Sequence, residues 1–203
     1  MKTGNMLVWM KPSRIQALAD GIFAFAMTLL VLNLILPDPT NLPQETELHE
    51  MLLEQAQAFY NYALSFLLLA IFWMIHSQQL HIIKETSLTH LWMNMIILLF
   101  IVLVPFSTSL MSDYPTDTLA NLVFAVNMFI IGALYYFNWH YAVKGRNIID
   151  DKIDIKRVEV ARRRSLLTPC IAVIAIVLAF IAPEFTGLSF LLIPILRFVP
   201  PFN

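Results

Sequence analysis

The stretch from Arg14 to Leu36, RIQALADGIFAFAMTLLVLNLIL, most limits what this chain can become. It contains no proline and exceeds the about 20 mostly apolar residues that cross a bilayer as a helix. Arg14 stands at its start and Asp20 sits between one and two turns inside. A carboxylate at that depth costs about 2–3 kcal/mol unless a partner meets it. On a helix Phe25, Thr28, Leu29 and Leu32 fall at i, i+3, i+4 and i+7 and form one stripe. Leu18, Gly21 and Ile22 continue that stripe toward the N-terminal end, and Asp20 lies well round the helix from Phe25. One face thus carries stacked apolar groups and a single hydroxyl. The other carries a charge that neighbouring helices must satisfy.

The rest of the chain fits a polytopic, all-α membrane protein. Of 203 residues, 59% are hydrophobic and 13% charged, against about 45–50% apolar and 25% charged in soluble domains. The first apolar run is too long for a signal peptide and no small-residue cleavage site follows it, so it reads as a retained span. The single cysteine, Cys170, excludes an internal disulfide and a cysteine metal site. A net charge of −1 argues against nucleic acid as a partner.

Hydropathy predicts six spans in one transmembrane domain, about 14–36, 51–79, 88–111, 119–143, 165–182 and 187–200, with a charged segment at 144–164. Between the first two, PDPTNLPQETELHE reads as a connection. The sixth span is short and interrupted by Pro194. With six crossings, Lys2, Lys11, Arg14, Lys84, the 144–164 cluster and Arg197 share one side. Asp38, Glu45, Glu47, Glu50, Asp113, Asp117 and Glu184 occupy the other. The positive-inside rule then puts both termini in the cytoplasm. Arg162, Arg163 and Arg164 act mainly as a topology determinant beside anionic lipid.

Trp73 and His76, three residues apart near the cytoplasmic end of the second span, lie at about the depth of Asp20. Two readings stay open. They join Asp20 and Arg14 in an interhelical polar cluster, or they are an interfacial aromatic and a loop histidine. Asn94, Asn127 and Asn138 read as hydrogen-bonding glue between helices. The remaining histidines, His49, His81, His90 and His140, are scattered without metal-ligand spacing. No nucleotide loop, GxSxG or kinase set is present. Neither an enzyme, a metal site nor a cofactor is expected.

The first helix resembles that of the TMEM175 family of potassium-permeable channels. That family carries R-x-x-x-F-S-D followed by G-[VI]-F-A-x-A-x-T-L-L-V-L. Here Arg14 and Asp20 match, as does GIFAFAMTLLVL, while Leu18 and Ala19 replace the Phe and Ser. SFLLLAIFWMIH is similar to the family's second span at Ser65, Phe66, Trp73 and His76. LWMNMIILLFIVLVPFST is similar to its third at Trp92, Asn94, Pro105 and Phe106. The resemblance implies a prokaryotic plasma-membrane protein of one six-helix unit, assembling as a homotetramer. It implies a pore lined by the first helix, with apolar rings as the constriction in place of a TVGYG filter. On this chain the ring residues are Phe25, Leu32 and Leu29, and the hydroxyl layer is Thr28. Phe25 stands where the family has Ile or Leu. Arg14, Asp20, Trp73 and His76 would form the polar cluster away from the permeation path. The expected function is a potassium-favouring cation channel. Proton permeation through Asp20 and His76 is one alternative, and a non-conducting structural or accessory subunit is another.

Overall fold

A computed structural model describes residues 11–34, 48–144 and 155–197. The expected connection at 37–47, most of the charged loop at 145–154, Lys2 and the last residues of the sixth predicted span lie outside them. The described chain is helical: α1 (Pro12–Leu29), extended by a 3-10 turn Leu30–Asn33, α2 (Leu48–Glu54), α3 (Ala56–Ile82), α4 (Leu88–Val102), α5 (Val104–Asp113), α6 (Thr118–Lys144), α7 (Ile155–Ile181), a 3-10 turn Pro183–Phe185, α8 (Thr186–Ser189) and α9 (Leu192–Arg197).

Local chemistry sets the helix ends. Pro12 starts α1, where its fixed φ suits the first turn and its missing N–H costs nothing. Ser87 caps α4 by accepting from the His90 N–H at 3.2 Å, and Asp117 caps α6 by accepting from the Ala120 N–H at 3.0 Å. Pro105 cannot donate to a preceding carbonyl, and α4 gives way to α5 at Leu103 just before it.

Five stretches are long and apolar enough to cross a membrane: Pro12–Asn33, Ala56–Ile82, Leu88–Asp113, Thr118–Lys144 and Val160–Ile181. The last described apolar segment, Pro183–Leu196, is shorter and broken into the turn, α8 and α9. Its anchors are buried Thr186, Gly187, Phe190 and Ile193, with Phe190 edge-on to Phe124 at 5.4 Å between ring centres.

A core of apolar side chains joins α1, α3, α4, α5, α6 and α7, among them Phe23, Leu68, Phe72, Ile97, Phe124, Met128 and Ala172. The closest approach is between α6 and α7. A methyl group built on Gly132 would stand 2.7 Å from Pro169 Cδ and 2.8 Å from its backbone nitrogen. Polar side chains stitch the helices inside the core. The Thr108 hydroxyl lies 2.8 Å from Ser65 Oγ, Asn61 donates to Ser112 Oγ at 3.0 Å, and Asn127 donates to Ser107 Oγ at 3.3 Å. Within hydrocarbon such bonds replace water as partners of polar groups.

Candidate functional site

The side chains of α1 sort into three sectors. Ile15, Ala19, Phe23, Ala26 and Leu30 are buried against the other helices. Arg14, Leu18, Gly21, Phe25, Thr28 and Leu32 follow one another at alternating steps of four and three, and all are exposed. At about 100° per residue these two rows lie on nearly opposite sides of the helix. Asp20 falls in the gap between them. Only 28% of the first span is buried, against 50% of the fourth, so α1 is the least covered of the five long segments.

The uncovered row is apolar over most of its length. Phe25 is 61% exposed and Leu32 66%, while Leu29 at its edge is half-buried. Thr28 donates its hydroxyl to the Phe25 carbonyl at 2.8 Å. Its proton is therefore spent inside the helix and its oxygen lone pairs face outward. A cation passing this row meets carbon at Phe25, an electron-rich oxygen at Thr28, and carbon again at Leu32.

The polar residues divide. Trp73 donates its indole N–H to Asp20 Oδ1 at 2.8 Å, joining α3 to α1 across the predicted depth. Gln16, one turn before Asp20, donates to the same oxygen at 2.6 Å. Sequence reasoning missed Gln16, although an amide at i and a carboxylate at i+4 is a recognised helical pair. His76 is buried and faces elsewhere. It lies edge-on to Tyr135 at 5.9 Å between ring centres and 6.0 Å from the ring of Phe23. The Tyr135 hydroxyl lies 3.4 Å from His76 Nδ1 and donates to the Phe72 carbonyl at 3.2 Å. Arg14 lies about 120° from Asp20 around α1 and continues the exposed row; no bond between the two is present among the described residues. The structure thus brings Asp20 and Trp73 together, seats His76 in a separate aromatic pocket, and leaves Arg14 in line with Phe25.

A second missed residue is Asn33. From the turn that ends α1 it donates to the Pro105 carbonyl at 3.1 Å. Asn33→Leu removes that bond, and a net hydrogen bond contributes about 0.5–1.5 kcal/mol. The expected result is a lower unfolding temperature in detergent for Asn33→Leu than for Asn33→Gln, measured by tryptophan fluorescence.

Among the described residues no group of three or more His, Cys, Asp or Glu side chains could hold a metal ion.

Residues 14–105 match the pattern of a family described as endosomal/lysosomal potassium channel TMEM175. A potassium channel of Chamaesiphon minutus is 26% identical over 172 residues, covering 83% of this chain and 84% of that one. A potassium channel of Streptomyces collinus is 24% identical over 177 residues, covering 85% and 84%. An endosomal/lysosomal proton channel TMEM175 of Danio rerio is 22% identical over 197 residues, 92% of this chain but 36% of the fish protein. The crystal structure of a lysosomal potassium-selective channel TMEM175 homologue from Chamaesiphon minutus superposes with a TM-score of 0.79 at 25% identity, covering 91% of this chain and 95% of that one. The fold is also shared with the potassium channel MtTMEM175, with a TM-score of 0.58 at 15% identity, covering 97% and 88%.

Proposed function

We propose that this chain, related to the TMEM175 family through its first three spans and folded like a bacterial TMEM175 homologue, is the subunit of a cation channel that favours potassium. The observation that carries the reading is the uncovered row on α1. An integral membrane protein gains nothing by leaving a hydroxyl such as Thr28 among exposed carbons on its least covered helix, unless that face meets water or ions. In this reading α1 from several copies, four by analogy with the family, encloses the conduit. Phe25, Leu29 and Leu32 form apolar rings and Thr28 a layer of oxygen between them. The rings exclude bulk water, so an ion sheds part of its hydration and conduction can stop by dewetting.

The bonded pair of Asp20 and Trp73 then serves assembly rather than permeation, because it lies off the row. Asp20→Asn weakens a charge-assisted hydrogen bond. The expected outcome is a smaller oligomer fraction on size exclusion with multi-angle scattering, while the oligomers that remain discriminate ions as before. An intact oligomer with altered selectivity would place Asp20 in the conduit instead. Both termini lie in the cytoplasm in this reading, with the segment from Pro183 onward completing a sixth crossing.

The deciding experiment is cation flux from liposomes reconstituted with purified protein, with potassium and sodium gradients run side by side and a proton ionophore control. Potassium flux above sodium flux is expected. Flux carried by protons alone, undiminished without potassium, favours proton permeation instead. Silence from folded, oligomeric protein in both parent and Phe25→Ala favours a non-conducting subunit.

A further inference from the structure

A groove of about 320 Å³ opens between α5 and α6, remote from the row on α1. Its walls are Phe100, Leu103, Phe106, Val126 and Ile130, and Asn127 and Ser107 meet at its base. Every wall residue belongs to a stretch long enough to cross the membrane. The groove therefore faces hydrocarbon, and a bare apolar lining would need no further account.

Asn127 does need one. It is 6% exposed, its amide donates to Ser107 Oγ at 3.3 Å, and its carbonyl Oδ1 is buried without any partner. Turning the amide round does not repair this. The Ser107 hydroxyl already donates to the Val104 carbonyl at 3.0 Å, so it can accept from Asn127 but has no proton left for it. The chain of bonds from Asn127 through Ser107 to Val104 thus fixes the amide with its acceptor unpaired. A buried acceptor left unpaired costs about 1–3 kcal/mol, more than a helix needs to lose for packing alone.

The missing group has a definite chemistry. It must donate one hydrogen bond, because Oδ1 only accepts. It must be uncharged, since no opposite charge lines the groove and a bare ion in hydrocarbon is costly. Its remainder must be hydrocarbon to match the walls. The volume is about twice the ~150 Å³ that holds a benzene molecule in a dry protein cavity, room for on the order of ten carbons. We propose that the α5–α6 groove binds an uncharged amphiphile, a hydrocarbon chain bearing a single hydroxyl whose O–H donates to Asn127 Oδ1.

The test uses the full chain in nanodiscs of one phosphatidylcholine and the photoactivatable alkanol 3-azi-1-octanol, with adducts mapped by mass spectrometry. Adducts are expected on 100–107 and 122–130, displaced by 1-decanol and far less by decyl methyl ether, which fills the same space without a donor. Asn127→Leu keeps the fold and the apolar walls. It should weaken labelling about three- to tenfold, the loss of one net hydrogen bond, and abolish the preference for the alcohol. Equal displacement by alcohol and ether, or labelling unchanged in Asn127→Leu, would make the groove a resting place for any acyl chain and overturn the proposal. Adducts spread evenly over the lipid-facing helices, or none in the groove, would overturn it too. None of these outcomes depends on whether the chain conducts ions.

Discussion

Phe25→Ala is expected to raise potassium flux several-fold and to bring the sodium flux closer to it. Phe25 is the bulkiest side chain on the exposed row of α1, and it stands outside the apolar core of its own subunit. Truncation therefore changes what faces the conduit without opening a cavity in the fold. Exposed substitutions of this kind usually stay within about 0.5 kcal/mol in stability, so the unfolding temperature should hardly move. Inside a ring of copies the loss of each phenyl widens and wets the narrowest apolar layer, and dewetting no longer closes it. Thr28 keeps its place, since its hydroxyl is tied to the Phe25 backbone carbonyl and not to the ring. Liposome flux with both cations measures the effect. Unchanged flux from well-folded Phe25→Ala would take Phe25 out of the constriction and shift attention to Leu32.

Gly132→Ala should be the most destabilising single methyl that can be added to the long helices. The new Cβ would meet Pro169 at 2.7 Å on the ring and 2.8 Å on the backbone nitrogen, and Thr168 Cβ at 3.0 Å. A flexible side chain could swing away from such a contact. A pyrrolidine ring and a main-chain atom cannot, so α6 and α7 must separate over their whole length. Overpacking in a core costs about 1–3 kcal/mol, and this site belongs at the upper end. The expected result is a markedly lower unfolding temperature and yield in detergent. Pro169→Ala in the same background removes the ring contact but not the one to its nitrogen, and should restore only part of the loss. A fully stable Gly132→Ala protein would mean that the two helices do not approach this closely.

These two positions differ in how far the amino-acid sequence alone reveals their roles. The apolar runs that form the long helices are legible because a bilayer demands length and hydropathy and little else. The row on α1 is legible from spacing, since Phe25, Thr28 and Leu32 repeat at steps of three and four. The contact between Gly132 and Pro169 is not. Each residue alone is common in membrane helices, and only the pairing of two distant segments gives it meaning. The same holds for Tyr135 beside His76, and for Asn33 on the Pro105 carbonyl. Trp73 meeting Asp20 lies between these cases: residue types and depth suggest it, while Arg14 and His76, expected in the same cluster, sit against other neighbours. The broken segment from Pro183 to Leu196 reads as one span in the sequence because hydropathy does not register where a helix is interrupted.

The bond from Asn33 to the Pro105 carbonyl has a mechanical consequence. It fastens one end of α1 to the point where α4 yields to α5. A rod fastened at one end moves least there and most at the other. Phe25 lies about 12 Å along the helix from Asn33 at 1.5 Å per residue, so a tilt of about 10° would carry it about 2 Å sideways while Leu32 hardly shifts. The fastening makes Asn33 a pivot, and makes Phe25 the ring with the longer lever arm.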